Sequence, residues 1–488
     1  VPARQLLTAT ALLLFASHAD AQITRAEYAQ RRDSVVARAG NGVILAFGAP
    51  EPSHDFLSFY QDPNFLYLTG FREPSAALLM VKDNGKVAST LFVQTKDPAR
   101  EVWTGNRLGT QNTMTELGLA GRAFEDLRRV LDSLLAAGMG LSVIGEFGSE
   151  DATSLTPDAQ FIAALKQQRP SLETTDFTPE VLRLRGRKSG AELELIRRAI
   201  EITNRAHREA IQAAEPGMNE FELQGLIEYV FRRNGADRPS FATIIGSGPN
   251  STTLHYNTND RFINAGETIV MDIGASYRGY SADVTRTIPA NGVFSAEQRA
   301  VYQIVRDAQM AAEKEARVGG TLGAMSAASD AVLAAGLARI GLIESAGASY
   351  DCGDGTGRCP QYRMFYMHGL GHGIGLEVHD PDQYYTGPIA IGSAFTLEPG
   401  IYVRANALDV LPDTPRNRAM IAKLRPALAR YQNIGVRIED DYLVTDKGVE
   451  WISRVPREIA EIEQLMKGAY AGPAKRDPAL VDVYRKMR

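Results

Sequence analysis

The stretch His368-Gly369-Leu370-Gly371-His372-Gly373-Ile374-Gly375-Leu376-Glu377-Val378-His379-Asp380 excludes more local folds than any other part of the chain. Four glycines separate its histidines. That composition opposes a helix and gives a loop whose backbone can approach a ligand closely. Three of the seven histidines fall within twelve positions there. By itself such a loop does not decide a function, so its neighbours must.

Two carboxylates precede it. Asp272 follows the apolar run Ile269-Val270-Met271, and Asp283 lies in the next strand, after a turn containing Tyr277-Arg278-Gly279-Tyr280. Opposed residues of an antiparallel pair have a constant sum. A turn centred between Tyr277 and Arg278 places Asp272 opposite Asp283, and a centre one residue later makes them diagonal neighbours. Either register puts both on one face, whereas a centre on Arg278 itself splits them, because side chains alternate along a strand. Opposed Cβ atoms are about 4.5–5.5 Å apart, so two carboxylates there ask for a cation between them. The competing reading is a solvent-facing pair balanced by Arg286 or Arg278. Glu398 ends a strand before Pro399-Gly400, and Glu439 sits on the alternating segment Val436-Arg437-Ile438-Glu439-Asp440. Asp272, Asp283, His372, Glu398 and Glu439 together are a mostly oxygen, one-imidazole set suited to two divalent metal ions, Mn first, with Co or Zn also accommodated.

The rest of the chain supplies the frame. Its 488 residues carry 44% apolar and 23% charged side chains, so two or three globular domains are expected. A net charge of -5 offers no field for phosphate backbones, and no nucleic acid is expected as partner. Residues 1–21 read as a signal peptide: Arg4, an apolar run from Leu6 to Phe15, and the small-residue site Ala19-Asp20-Ala21. The run is too short to span a bilayer, so stable membrane insertion is not expected, and the protein is expected to be exported, periplasmic or secreted. The two cysteines, Cys352 and Cys359, lie on a polar, Gly-rich stretch and read as a local disulfide on a flexible loop.

Residues 22–180 alternate apolar runs such as Ala77–Val81, Leu91–Val93 and Leu141–Ile144 with helical patterns, which predicts a mixed α/β domain. A charged stretch, 178–190, with Arg183, Arg185, Arg187 and Lys188, marks the boundary. Ser189-Gly190-Ala191-Glu192 then starts a long helix, and a second begins near Asn219. Strands are predicted at Phe241–Gly246, Thr268–Ala275 and Ala282–Thr287, followed by helices from Ala296 to Val318 and from Leu322 to Ile340. The fold class expected is α/β in the broad sense (α+β): an N-terminal mixed domain, then over 190–470 a curved antiparallel sheet backed by helices. The basic stretch 411–431 reads as a part-helical insertion, and 471–488 as a polar tail.

Specific segments carry a resemblance. Ile244-Ile245-Gly246-Ser247-Gly248 through Leu254-His255-Tyr256, then Met271-Asp272-Ile273-Gly274-Ala275, Gly279–Thr287, the histidine loop, Glu398-Pro399-Gly400 and Val436–Asp441 resemble the pita-bread metallopeptidases, and among them the Xaa-Pro aminopeptidase (aminopeptidase P) family. Asn64–Phe71 and Glu101–Gly109 are similar to that family's N-terminal domain, which methionine aminopeptidases lack. The resemblance implies that Asp272 binds one metal, that Asp283 and Glu439 bridge both, and that His372 and Glu398 complete the second. It implies Glu398 as general base, His379 as donor to the scissile carbonyl or its oxyanion, His368 as positioning or proton-shuttling residue, and His255 beside the scissile bond. For His255 a core histidine is the competing reading. Arg437, two residues before Glu439, shares its strand parity and is placed to orient Asp272.

The implied substrate is a peptide with proline at its second position. That bond is a tertiary amide with no N–H, so the site must accept a ring instead of bonding a donor. Trp103 and Phe71 are aromatic candidates for this task, although an aromatic in a strand context is more often core. Prolidase chemistry on Xaa-Pro dipeptides and a non-catalytic peptide-binding module on the same fold are the alternatives. A homo-oligomer, dimer or tetramer, is expected.

Overall fold

Alternation along two neighbouring strands, Gly42–Phe47 and Ala77–Asp83, builds the first half of the molecule. Val43, Leu45, Phe47, Ala77 and Leu79 turn to one side, against Leu131 of helix Leu127–Ala136 and Leu165 of helix Pro157–Gln168. Ile44, Ala46, Leu78 and Met80 turn to the other and share a core with Leu193, Ile196 and Ile200 of the long helix Gly190–Ala213. A strand buried on both faces needs an unbroken apolar run, which Ala77–Val81 supplies. Six strands complete this sheet in the spatial order Ala120–Ala123, Lys86–Val93, Ala77–Asp83, Gly42–Phe47, Leu141–Ile144, Thr174–Asp176. The computed structural model describes residues 22–54, 57–148, 154–468 and 470. The signal-peptide reading and the tail therefore lie outside the described residues.

Ser189 caps the helix Gly190–Ala213 in a reciprocal box with Glu192, and Asn219 with Glu222 does the same for Glu220–Arg233. Strands Ile244–Ser247, Thr268–Ile273 and Val284–Pro289 then form an antiparallel sheet. Ile269, Met271 and Ile273 enter the main core beside these helices, which turns Asp272 to the opposite face. Helices Ala296–Glu315 and Leu322–Arg339 follow. Two further antiparallel pairs, Ala394–Leu397 with Asp440–Thr445 and Gly400–Val403 with Ile434–Arg437, close the second half. The architecture is the mixed α/β one expected, with sheets that are small and open.

Several local expectations are resolved and others change. The aspartate hairpin takes the diagonal register: Asp272 opposes Thr285, and Asp283 stands just before the strand at Val284. The cause is a two-residue turn at Arg278-Gly279, both at positive φ (51° and 86°), flanked by the pair Tyr277 and Tyr280. Cys352 and Cys359 are joined, S–S 2.05 Å, but across a short hairpin of Ser349–Cys352 and Gly357–Pro360 in place of a loose loop. The stretch 411–431 is helical from Pro415 to Tyr431, with Met420, Leu424, Leu428 and Tyr431 on the main core. Val403 pairs with Ile434, so this helix is an excursion between two directly paired strands. Phe71 is core, but Trp103 lies on helix Pro98–Thr104 and is 88% exposed, neither strand nor core. Arg185 and Lys188 of the charged boundary stretch are buried. Among the described residues no helix is long and apolar enough to cross a membrane.

Candidate metal centre and active site

All nine side chains expected to bind metal or act in catalysis line one cavity of about 280 Å³, His255, Asp272, Asp283, His368, His372, His379, Glu398, Arg437 and Glu439, whereas Phe71 and Trp103 do not. They arrive on several short elements, with His368, His372 and His379 together on the glycine-rich loop. Asp272 comes from the strand Thr268–Ile273 and Asp283 from the bend after the hairpin. Glu398 follows the strand Ala394–Leu397, and its N–H donates to Leu370 O (2.7 Å). Glu439 occupies the break between strands Ile434–Arg437 and Asp440–Thr445, not a strand as expected, and its N–H donates to Thr285 O (3.1 Å). The histidine loop packs so closely behind Ala394–Leu397 that a Cβ on Gly371 would stand 2.1 Å from Thr396 O. Glycine is the residue that fits there.

Asp283, His372 and Glu439 form the tightest cluster, with ligating atoms within 4.8 Å of one another. His372 Nε2 lies 3.4 Å from Asp283 Oδ2, 3.6 Å from Glu439 Oε1 and 3.7 Å from Glu398 Oε1. Its Nδ1 faces Gly373 O at 3.2 Å. A carbonyl only accepts, so Nδ1 carries the proton and Nε2 is left to face the carboxylates.

Asp272 Oδ1, Asp283 Oδ1 and Glu439 Oε1 are buried without a hydrogen-bond partner. Buried carboxylate oxygens in that state are costly unless a cation meets them, so this donor set fits divalent metal. The electrostatics agree. Burial, with Glu439 beside it, pushes Glu398 up to about 8, and burial with Glu439 and Asp272 holds Asp283 well above the usual carboxylate range. On His372, burial acts against charge but is outweighed by Asp283 and Glu439, which raise its pKa well above the ordinary value.

A second network supports the acidic cluster from behind. Arg437, buried, donates through Nη2 to Asp272 Oδ2 (2.5 Å), through Nη1 to Tyr402 Oη (2.9 Å) and through Nε to Thr285 Oγ1 (3.2 Å). Thr285 Oγ1 in turn donates to Glu439 Oε2 (2.8 Å). Tyr402 Oη lies 2.8 Å from His368 Nε2, whose Nδ1 faces Gly369 O at 2.8 Å. The carbonyl fixes the proton on Nδ1, so Tyr402 donates to Nε2. Burial and the Arg437 charge hold His368 down to about 3, a neutral imidazole. His379 faces His372 with ring centroids 4.2 Å apart, and burial with the His372 charge lowers its pKa. His255 is exposed at the cavity and not a core histidine.

Residues 194–446 match metallopeptidase family M24, and residues 28–141 match the aminopeptidase P N-terminal domain. The chain belongs to metallopeptidase family M24. Within the family it is 34% identical over 465 residues to an Xaa-Pro aminopeptidase of Escherichia coli, covering 92% of this chain and 99% of that protein. It is 31% identical over 463 residues to an Xaa-Pro dipeptidase of Homo sapiens, 90% of this chain and 91% of that one. Its fold matches a solved structure of E. coli aminopeptidase P with the inhibitor Pro-Leu at a TM-score of 0.76 and 31% identity, covering 92% and 99% of the two chains. A zinc-substituted form of that enzyme in complex with product matches equally, TM-score 0.76, 32% identity, with the same coverage. This M24 member is accordingly a peptidase, a hydrolase whose family implies divalent metal.

Sequence reasoning missed Thr285, Tyr402 and Asp441. Thr285 was within reach: it stands two residues after Asp283 and so shares its face. Asp441, whose Oδ2 accepts from the Asp283 N–H (3.1 Å), lay inside the Glu439-Asp440-Asp441 run. Tyr402 has no local signal, because it reaches Arg437 only through the pairing of Gly400–Val403 with Ile434–Arg437.

Proposed function

We propose that this M24 peptidase is an exported aminopeptidase that removes the first residue from peptides with proline second, using two divalent ions, Mn first. The observation that carries the reading is the convergence of four carboxylates and one imidazole on a single cavity, with Arg437 fixing Asp272 behind them. Asp272 would hold one ion, Asp283 and Glu439 both, and His372 and Glu398 the second. Bound there, such a pair lowers the pKa of water and polarises a peptide carbonyl.

The chain's own groups do the rest. Glu398 takes the proton as general base; its Oε2 lies 3.6 Å from the Nδ1–H side of His368, which positions that carboxylate. His379 is neutral and carries one N–H to donate to the carbonyl oxygen as charge develops. His255 lines the open side of the cavity, where the leaving segment would lie. Export is supported by the leader-like start and by the Cys352–Cys359 bond, which persists in oxidising compartments.

The 34% identity to an Xaa-Pro aminopeptidase over 99% of that protein supports aminopeptidase action, and the 31% identity to an Xaa-Pro dipeptidase over 91% of that one keeps the second reading in play. Metal analysis of the purified protein, with parallel hydrolysis of an Xaa-Pro dipeptide and an Xaa-Pro-Yaa-Zaa peptide, tests both. Efficient turnover of the dipeptide alone would assign prolidase chemistry. Metal-free protein that binds peptide without turnover would reduce the site to a binding module.

A further inference from the structure

Among the described residues, no hydrogen bond holds the imidazole of His379; its ring faces only that of His372. A side chain without partners of its own is aimed by its backbone. The loop that carries it is fixed chiefly by the next residue, Asp380, which is 2% exposed and spends both carboxylate oxygens on buried cations. Arg185, 1% exposed, bonds Asp380 Oδ1 through Nη2, which also donates to Glu377 Oε2 (2.6 Å), while its Nη1 donates to Asn64 Oδ1 (2.7 Å). Lys188 Nζ lies 3.2 Å from Asp380 Oδ2 and donates to Pro381 O at 2.7 Å. The Asp380 N–H donates to Gly373 O (2.8 Å), one residue from His372.

The contacts extend beyond one ion pair. The Gln383 N–H donates to Gly186 O (3.1 Å), Arg187 Nε to Ile391 O (3.0 Å) and the Lys188 N–H to Gly392 O (2.8 Å). Every residue from Arg185 to Lys188 is thus stitched to the stretch 377–392, and Arg185 also grips Asn64 on helix Pro63–Thr69 of the N-terminal half. A connector that only spaced two domains would keep its charges in water, since buried cations are tolerated only when paired.

We infer that Arg185 and Lys188 are positioning residues for the reaction: through Asp380 they aim His379 into the cavity, so the segment between the domains sets the rate of the chemical step. This rests on His379 acting on the carbonyl as proposed above. Lys188→Met keeps the aliphatic stem and leaves Asp380 with one cation. In protein loaded with Mn it lowers kcat for an Xaa-Pro-Yaa-Zaa peptide about tenfold, with KM and bound metal unchanged. Amide exchange rises over residues 376–382 and stays as in the parent over 268–288. In the His379→Ala background the same substitution has no further effect on kcat, because the group it aims is gone.

An equal fold-loss in both backgrounds, or no loss in the parent, overturns the inference. His379→Ala with parental kcat overturns the role of His379 itself, a separate result. Should Lys188→Met fail to fold, Glu377→Gln gives the same cycle. Glu377 is half exposed and its loss frees one side of Arg185. A threefold or so fall in kcat confined to the His379-containing background supports the inference, and any other pattern overturns it.

Discussion

Arg437 and Asp272 are 165 residues apart in sequence, yet Arg437 Nη2 donates to Asp272 Oδ2 at 2.5 Å. The same guanidinium reaches Tyr402 and Thr285, so it fixes a carboxylate, the hydroxyl bonded to His368 and the hydroxyl bonded to Glu439. A planar fork with five donors can do this; an ammonium on a flexible stem reaches one or two of the three. Arg437→Lys should therefore keep the fold and lose metal affinity by about 10- to 100-fold, the cost of removing a partner behind a ligand. Isothermal titration with Mn, read beside kcat/KM, checks this. Unchanged affinity would mean that Asp272 needs no anchor.

Asp283 shares one cavity with Asp272, Glu398 and Glu439, and its buried Oδ1 has no hydrogen-bond partner. Asp283→Ala should abolish turnover by about three orders of magnitude or more, since a group proposed to meet both ions is lost. The metal-free protein should unfold no earlier than the parent and gain up to about 1 kcal/mol, because a carboxyl that burial and its acidic neighbours penalise has gone. Metal stoichiometry should fall below two. A variant with normal turnover would remove Asp283 from the reaction.

The two residues so far show what was legible in the sequence. The face shared by Asp272 and Asp283 follows from the period of a strand, and the parity of Arg437 with Glu439 follows from the same rule. The register does not follow, because it turns on whether Arg278 accepts a positive φ, and it does, at 51°. Capping boxes at Ser189 and Asn219 are local and could be read directly. Burial of Arg185 and Lys188 could not, since a run of cations reads as a solvated surface until Asp380, about 195 residues on, is brought beside it. Tyr402 was hidden for the same reason: strand pairing across an intervening helix leaves no trace in neighbouring residues.

Chelation gives the broadest check on the site. Removing divalent ions should abolish activity, and Mn should restore it, with Co or Zn giving partial recovery. Because the ions would meet Asp283, Glu398 and Glu439, whose mutual repulsion His372 and Arg437 relieve only in part, loading should also raise thermal stability by mass action. Differential scanning calorimetry with and without Mn reads this independently of turnover. Identical transitions would argue that the carboxylates bind no ion.

Acid sensitivity should come in part from a histidine outside the site. His207 is fully buried, its Nε2 lies 2.8 Å from Val284 O, and burial with the Arg286 charge lowers its pKa to about 3. In the unfolded chain it titrates near 6.5, so between these values the unfolded state binds a proton that the folded state refuses. Stability is then full above about pH 6.5 and is lost as pH falls towards 3. From pH 7 to pH 5 this one group removes about 2 kcal/mol. His207→Gln, whose amide N–H can reach the same carbonyl, should flatten that part of the slope in urea unfolding at the two pH values. A variant with the parental slope would exclude His207 as the source.

The Cys352–Cys359 hairpin should matter for stability and not for chemistry. Asp351 ties it to the neighbouring helix: its Oδ2 accepts from Thr414 Oγ1 (2.6 Å), its N–H donates to Asn417 Oδ1 (3.0 Å), and its carbonyl accepts from Asn417 Nδ2 (2.8 Å). Neither cysteine lines the metal cavity. A covalent bond across so few residues restricts the unfolded chain by about 2–3 kcal/mol. Cys352→Ser with Cys359→Ser should lower unfolding free energy by that amount, at unchanged kcat and metal content. The hairpin nonetheless leads within nine residues to His368, so a fall in kcat without loss of fold would show that the bond also holds the histidine loop in place.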